Sequence, residues 1–114
     1  MIAVIFEVWP DAEQRDNYLT TAASMRPLFE NIDGFISVER FESLTEPGKL
    51  LSLSIWRDEE AVAAWRTVDA HRAVQVKGRK KMFLNYRLRV AGVIRDYGMH
   101  EREQAPADNR AVHG

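Results

Sequence analysis

The chain has 114 residues, 46% of them hydrophobic and 29% charged, the profile of one domain with a single core. Its net charge of -1 gives no electrostatic footprint for nucleic acid or for a membrane surface. With no cysteine, disulfides, thiolate nucleophiles and cysteine-based metal sites are excluded.

The opening residues "MIAVIFEVWPDAEQ" lack the basic n-region of a signal peptide. No apolar run approaches the roughly 20 residues that span a bilayer, so the expectation is a cytoplasmic protein with no membrane partner. "IAVIFEVW" is apolar almost throughout and rich in β-branched residues, which predicts a central strand buried on both faces. Pro10 ends it. Asp11 with Gln14 resembles a capping box that opens a helix through about Phe29, with Tyr18, Ala22, Met25 and Phe29 on one side. Pro27 removes one backbone donor late in that helix and predicts a local kink or stop.

"NIDGF" stops the helix at Gly34, and "FISVERFES" alternates weakly as a second strand. "TEPGK" turns into a third strand, "LLSLSIW", to make a hairpin. Asp58 caps a short helix, "EEAVAAWRT", with a break near Thr67 and a second helical segment from Val68 to about Lys81. "NYRLRVAGVIRDY" is the last strand, setting Tyr86, Leu88, Val90 and Ile94 against Asn85, Arg87, Arg89 and Arg95.

The order β-α-β-β-α-β predicts an α+β, ferredoxin-like fold: an antiparallel sheet with both helices on one face. The first and third strands are apolar in both phases, so the open sheet face needs cover. A homodimer with two sheets packed face to face supplies it. The domain is expected over 1–98. Residues 99–114 lose periodicity and form a polar C-terminal tail, either frayed or wrapped around the partner.

"DGFISVERFES", "LLSLSIWRDEEAVAAW", "HRAVQVKGR" and "YRLRVAGVIRDYG" together resemble the antibiotic biosynthesis monooxygenase (ABM) family over about Ile2 to Gly98. The resemblance implies a dimeric α/β barrel. It also implies a monooxygenase that oxidises a small aromatic or quinol with O₂ and needs no metal or flavin. Two alternatives stand beside it: a haem-binding or haem-degrading monooxygenase, and a non-catalytic dimer that binds small molecules. The haem-degrading branch carries an Asn late in strand one and a proximal His one turn beyond the place of His71. Here those places hold Glu7 and Gln75, and both departures disfavour haem.

Cofactor-free oxygenation requires an apolar cavity for a flat ring, a proton acceptor and a group that stabilises the substrate anion. His71, Val74, Gln75, Gly78 and Met82 share one helical stripe, which points His71 and Gln75 inward. His71 titrates in the range that suits proton transfer at neutral pH, although a lone inward His is equally read as a satisfied core residue. The resemblance places Trp65 on the cavity wall, while by itself it reads as a core aromatic. These two are the catalytic candidates. Phe6, Phe41 and Trp56 are expected as apolar walls. Arg72, Gln75, Asn85, Tyr86 and Arg87 are expected as polar substrate contacts, with their facing set by strand register.

Overall fold

The structure, a computed structural model, describes residues 1–75 and 82–107, without the side chains of 70–75. Among the described residues there are four strands: β1 (Ile2–Pro10), β2 (Phe35–Glu42), β3 (Leu50–Trp56) and β4 (Phe83–Gly92). Two helices connect them, α1 (Arg15–Glu30) and α2 (Glu59–Gln75). The sheet is antiparallel in the order β2-β3-β1-β4, which makes the fold ferredoxin-like α+β. The apolar β1 takes a central place, as its hydrophobicity in both phases requires.

Local chemistry sets the boundaries. The Asp11 carboxylate accepts from the Glu13 amide at 2.9 Å and caps a 3-10 turn, Ala12–Gln14, before α1 begins. The expected capping box does not close, because the Gln14 side chain accepts from Asn17 Nδ2 instead. Helix α1 runs past Pro27 to Glu30. Pro27 sits in the final turn, where few following hydrogen bonds depend on it. Gly34 then turns the chain at φ +95°, and its carbonyl accepts from the Arg57 amide at 2.7 Å. A Cβ at Gly34 would lie 2.8 Å from that of Ala61, so the position excludes a side chain on two grounds.

Asp58 starts α2 by accepting from the Ala61 amide at 2.9 Å, and this bond holds its carboxyl below the usual range. The predicted break near Thr67 is absent. The Thr67 hydroxyl donates to the Ala63 carbonyl at 3.2 Å, back-bonding within one continuous helix. The part of the second helical segment expected over 76–81 lies outside the described residues. Strand β4 ends at Gly92, where pairing with β1 runs out at Ile2, so Ile94 falls beyond the sheet.

Two apolar clusters join the helices to the sheet. One gathers Val4, Met25, Phe29, Trp56, Ala61 and Val62, and the other Val8, Tyr18 and Leu50. The opposite sheet face carries Ile5, Leu53 and Ile55 beside an ionic cluster, in which Glu7 contacts both Lys49 and Arg89. Beyond β4, the Gly98 amide donates to the Glu101 carbonyl and the Asp96 amide to Gln104 Oε1, both at 2.8 Å. Ala105 is buried, so the described part of the tail is folded back on itself. No helix among the described residues is long and apolar enough to cross a membrane.

Candidate active site

Between the helices and the sheet lies a cavity of about 720 Å³, inside the roughly 300–1,000 Å³ typical of small-molecule sites. The sheet contributes Val4 and Phe6 from β1, Val38 and Arg40 from β2, Ser52 and Ser54 from β3, and Phe83, Tyr86, Leu88 and Val90 from β4. Helix α1 contributes Tyr18, Thr21, Ala22, Met25 and Phe29, and α2 contributes Trp65, Arg66 and Asp69.

Sheet register explains this selection. Side chains alternate across the pleat, so Phe6, Ser52 and Leu88, which face one another across the strands, share a side. Two irregularities shift the phase. One, between Phe35 and Ser37, puts Phe35 on the helix side together with Val38 and Arg40. The other, between Trp9 and Pro10, lets Phe83 join Tyr86.

Of the residues singled out from the sequence, Phe6, Trp65 and Tyr86 line the cavity. Trp56 lies beneath it, fully buried, its indole donating to Ser54 Oγ at 2.9 Å, and it acts as a floor rather than as a contact surface. Phe41, Asn85 and Arg87 depart from expectation. Phe41 pairs with Leu51 and Arg87 with Glu7, on the opposite sheet face, and Asn85 alternates with Tyr86 to that same side. The side chains of His71, Arg72 and Gln75 lie outside the described residues. Glu7 also faces away from the cavity. Lys49 first and Arg89 second hold its carboxyl below the usual range.

Aromatic rings occupy both ends of the hollow. Trp65 stands 6.2 Å from Phe29 and from Trp56, while Phe83 stands 5.8 Å from Tyr86 and 6.2 Å from Tyr18. Sequence reasoning missed the polar members of the wall. Burial raises the Tyr18 phenol, and the Arg40 guanidinium beside it pulls the other way. Burial also raises the Asp69 carboxyl. The Asp69 residue is exposed to solvent at the cavity's edge, while its carboxyl lies on the largely apolar wall that raises it. A carboxyl of this kind is a stronger base once ionised and keeps its proton to higher pH.

The described walls offer neither imidazole nor thiolate to an iron. Their phenol at Tyr18 is raised by burial, and the side chain of His71, the imidazole the sequence offers, lies outside the described residues. The described walls are largely apolar, with Arg40, Arg66 and Asp69 as their charged members. Fold and cavity together therefore define a ferredoxin-like domain with a largely apolar cavity between its helices and its sheet.

The family comparison narrows that class. The model of the antibiotic biosynthesis monooxygenase family matches residues 1–77. The chain belongs to this family. It is 52% identical over 93 residues to the jasmonate monooxygenase ABM of Pyricularia oryzae, a match covering 82% of this chain and 43% of that protein. It thus spans less than half of the fungal relative's length. Among solved structures, Rv0793 from Mycobacterium tuberculosis superposes with a TM-score of 0.72 at 19% identity, covering 85% of this chain and 98% of that one. The heme-degrader MhuD of the same organism, solved with two hemes in its active site, gives 0.68 at 18% identity over 86% and 100%. At such identities these two likenesses establish the fold alone.

Proposed function

We propose that the protein is a cofactor-independent monooxygenase of the ABM type, acting on a small ring compound with an acidic C–H or O–H group. One observation carries the reading: a basic carboxyl, Asp69, stands on the wall of an otherwise largely apolar cavity of ring-compound size. The fungal relative's name supports it and puts jasmonate among the first compounds to test.

In this mechanism the ring lies between Trp65 and the Phe6–Tyr86 side of the cavity, out of bulk water. Asp69 takes the substrate proton; His71, expected from the sequence in that role, is the second candidate base. The resulting anion gives one electron to O₂, and the radical pair recombines as a peroxide. At an activated methylene, one oxygen atom stays on carbon as a carbonyl, and the other leaves with the two former C–H hydrogens as water. With a quinol the same first step ends in quinone and hydrogen peroxide.

We further propose a homodimer in which the Ile5–Leu53–Ile55 face meets its copy, as apolar cover on that side requires. Light scattering on the eluted protein should give twice the chain mass. Oxygen uptake with hydroquinones, anthrones and jasmonate tests the activity, and at least one compound should be consumed with uptake above the blank. No uptake across the panel, or a Soret shift showing a stable complex with added hemin, would overturn the cofactor-free reading.

A further inference from the structure

Arg40 is out of place on this wall. It projects from β2 to the helix side, into a cavity whose neighbours there are Val38, Ser52 and Tyr18. No acidic group among the described residues pairs with it, whereas Arg15, Arg26, Arg57 and Arg89 each contact a carboxylate. Its Nε is buried without a hydrogen-bond partner. A half-buried cation with an unused donor is costly unless something else completes it. The Tyr18 phenol beside it shares the cavity wall, accepts from the guanidinium and keeps its own proton, which it can donate to an anion bound there. Asp69 does not neutralise the pair: it forms no ion pair with Arg40 and instead raises the Tyr18 phenol by its own charge.

We infer that Arg40, with Tyr18, forms an anion subsite, and that the ligand of this cavity is a hydrophobic ring compound bearing a carboxylate. The planar guanidinium fork matches a carboxylate, and a largely apolar hollow strengthens that contact. The ring then rests on the aromatic side of the cavity, and the carboxylate fixes which ring atom faces Asp69. This inference rests on the same cavity as the oxygenase reading and narrows its substrate to ring acids.

Binding tests it without turnover. Titrating the protein with 1-naphthylacetate and with the isosteric neutral 1-naphthylacetamide, followed by calorimetry at pH 7.5, should show the acid bound roughly ten- to a hundredfold more tightly. Arg40→Met should abolish that preference, Arg40→Lys should retain part of it, and Arg15→Met, which removes a guanidinium outside the cavity, should leave it. Equal affinity for acid and amide in the native protein overturns the subsite, as does a preference that survives Arg40→Met. Failure of both probes to bind at millimolar concentration also overturns it. Should Arg40→Met not fold, the acid-to-amide ratio of the native protein and its partial retention in Arg40→Lys decide the matter. Acid preference without oxygen uptake would keep the subsite and sink the oxygenase.

Discussion

The two ends of the layer between helices and sheet use the same kind of residue to opposite effect. At one end Phe29, Phe35, Trp56 and Trp65 interlock, with rings 5.4 to 6.3 Å apart. Both helices close over them, α1 through Met25 and Phe29 and α2 through Ala61 and Val62. At the other end Phe6, Tyr18, Phe83 and Tyr86 form a second set of edge-on and tilted contacts. There the described helical cover comes from α1, and Tyr86 stays 58% exposed. Aromatic content alone therefore does not decide whether a site is plug or pocket. What decides is how many elements converge on it.

The largest expected effect breaks the plug. Trp56→Ala removes a fully buried side chain and leaves its Ser54 partner unsatisfied. Denaturant unfolding should show a loss of about 3–5 kcal/mol. Tyr86→Ala at the open end should cost about 1 kcal/mol at most. Comparable losses at both positions would erase the distinction between the two ends.

Burial at the closed end was legible in the sequence, although Trp56 was expected there as a cavity wall; the pocket was legible only in Phe6, Trp65 and Tyr86. Trp56 closes a strongly apolar strand, and Phe29 completes a helical stripe, so burial follows from periodicity. Strand β2 hides its facing. Strict alternation would put Phe35 and Phe41 on one side, but the irregularity at Ile36 sends Phe35 toward the helices and Phe41 away. The same shift turns Arg40 inward, on a strand whose weak alternation left its facing open. Asp69 was hidden by the expected break at Thr67. Once α2 is continuous, Trp65 and Asp69 stand one turn apart on the same wall.

The next effect sharpens the open end. Asp69→Asn should lower the rate of oxygen uptake about a hundredfold if the carboxylate is the base. In the native protein the rate should climb as pH rises through the raised carboxyl pKa, and that limb should vanish in the variant. Stability runs the other way. The folded state holds this proton more tightly than the unfolded chain, so the contribution is full below the ordinary value of 3.8 and is lost as pH rises through the raised one. A variant that keeps the acid limb would transfer the base role to His71.

Gly34→Ala returns to the closed end with a smaller effect. The backbone there has φ +95°, and the new methyl would press on Ala61 of α2, the helix that caps the plug. Strain and contact together should cost about 1–3 kcal/mol in unfolding experiments. Ligand affinity at the far end should change little. A loss of binding as large as the loss of stability would mean that the two ends are coupled through α2.

The smallest effect belongs to neither end, and for that reason it isolates the other face of the sheet. Glu7 has its pKa lowered by Lys49 and Arg89, so its contribution is present above the ordinary value of 4.5 and disappears as pH falls through the lowered one. Thermal melts of native protein and Glu7→Gln should therefore differ at neutral pH and converge in acid. Exposed ion pairs are weak and screened by salt, so in an isolated chain the difference should be slight and independent of concentration. A second copy packed on this face would bury the cluster. The difference would then grow with protein concentration, because the native protein would lose its partner along with its ion pairs on acidification. Glu7 lies on the sheet face away from the cavity, so its loss should leave ligand binding in place. A Glu7→Gln variant that binds ring acids normally but dimerises less in neutral buffer would separate the face that assembles from the face that binds.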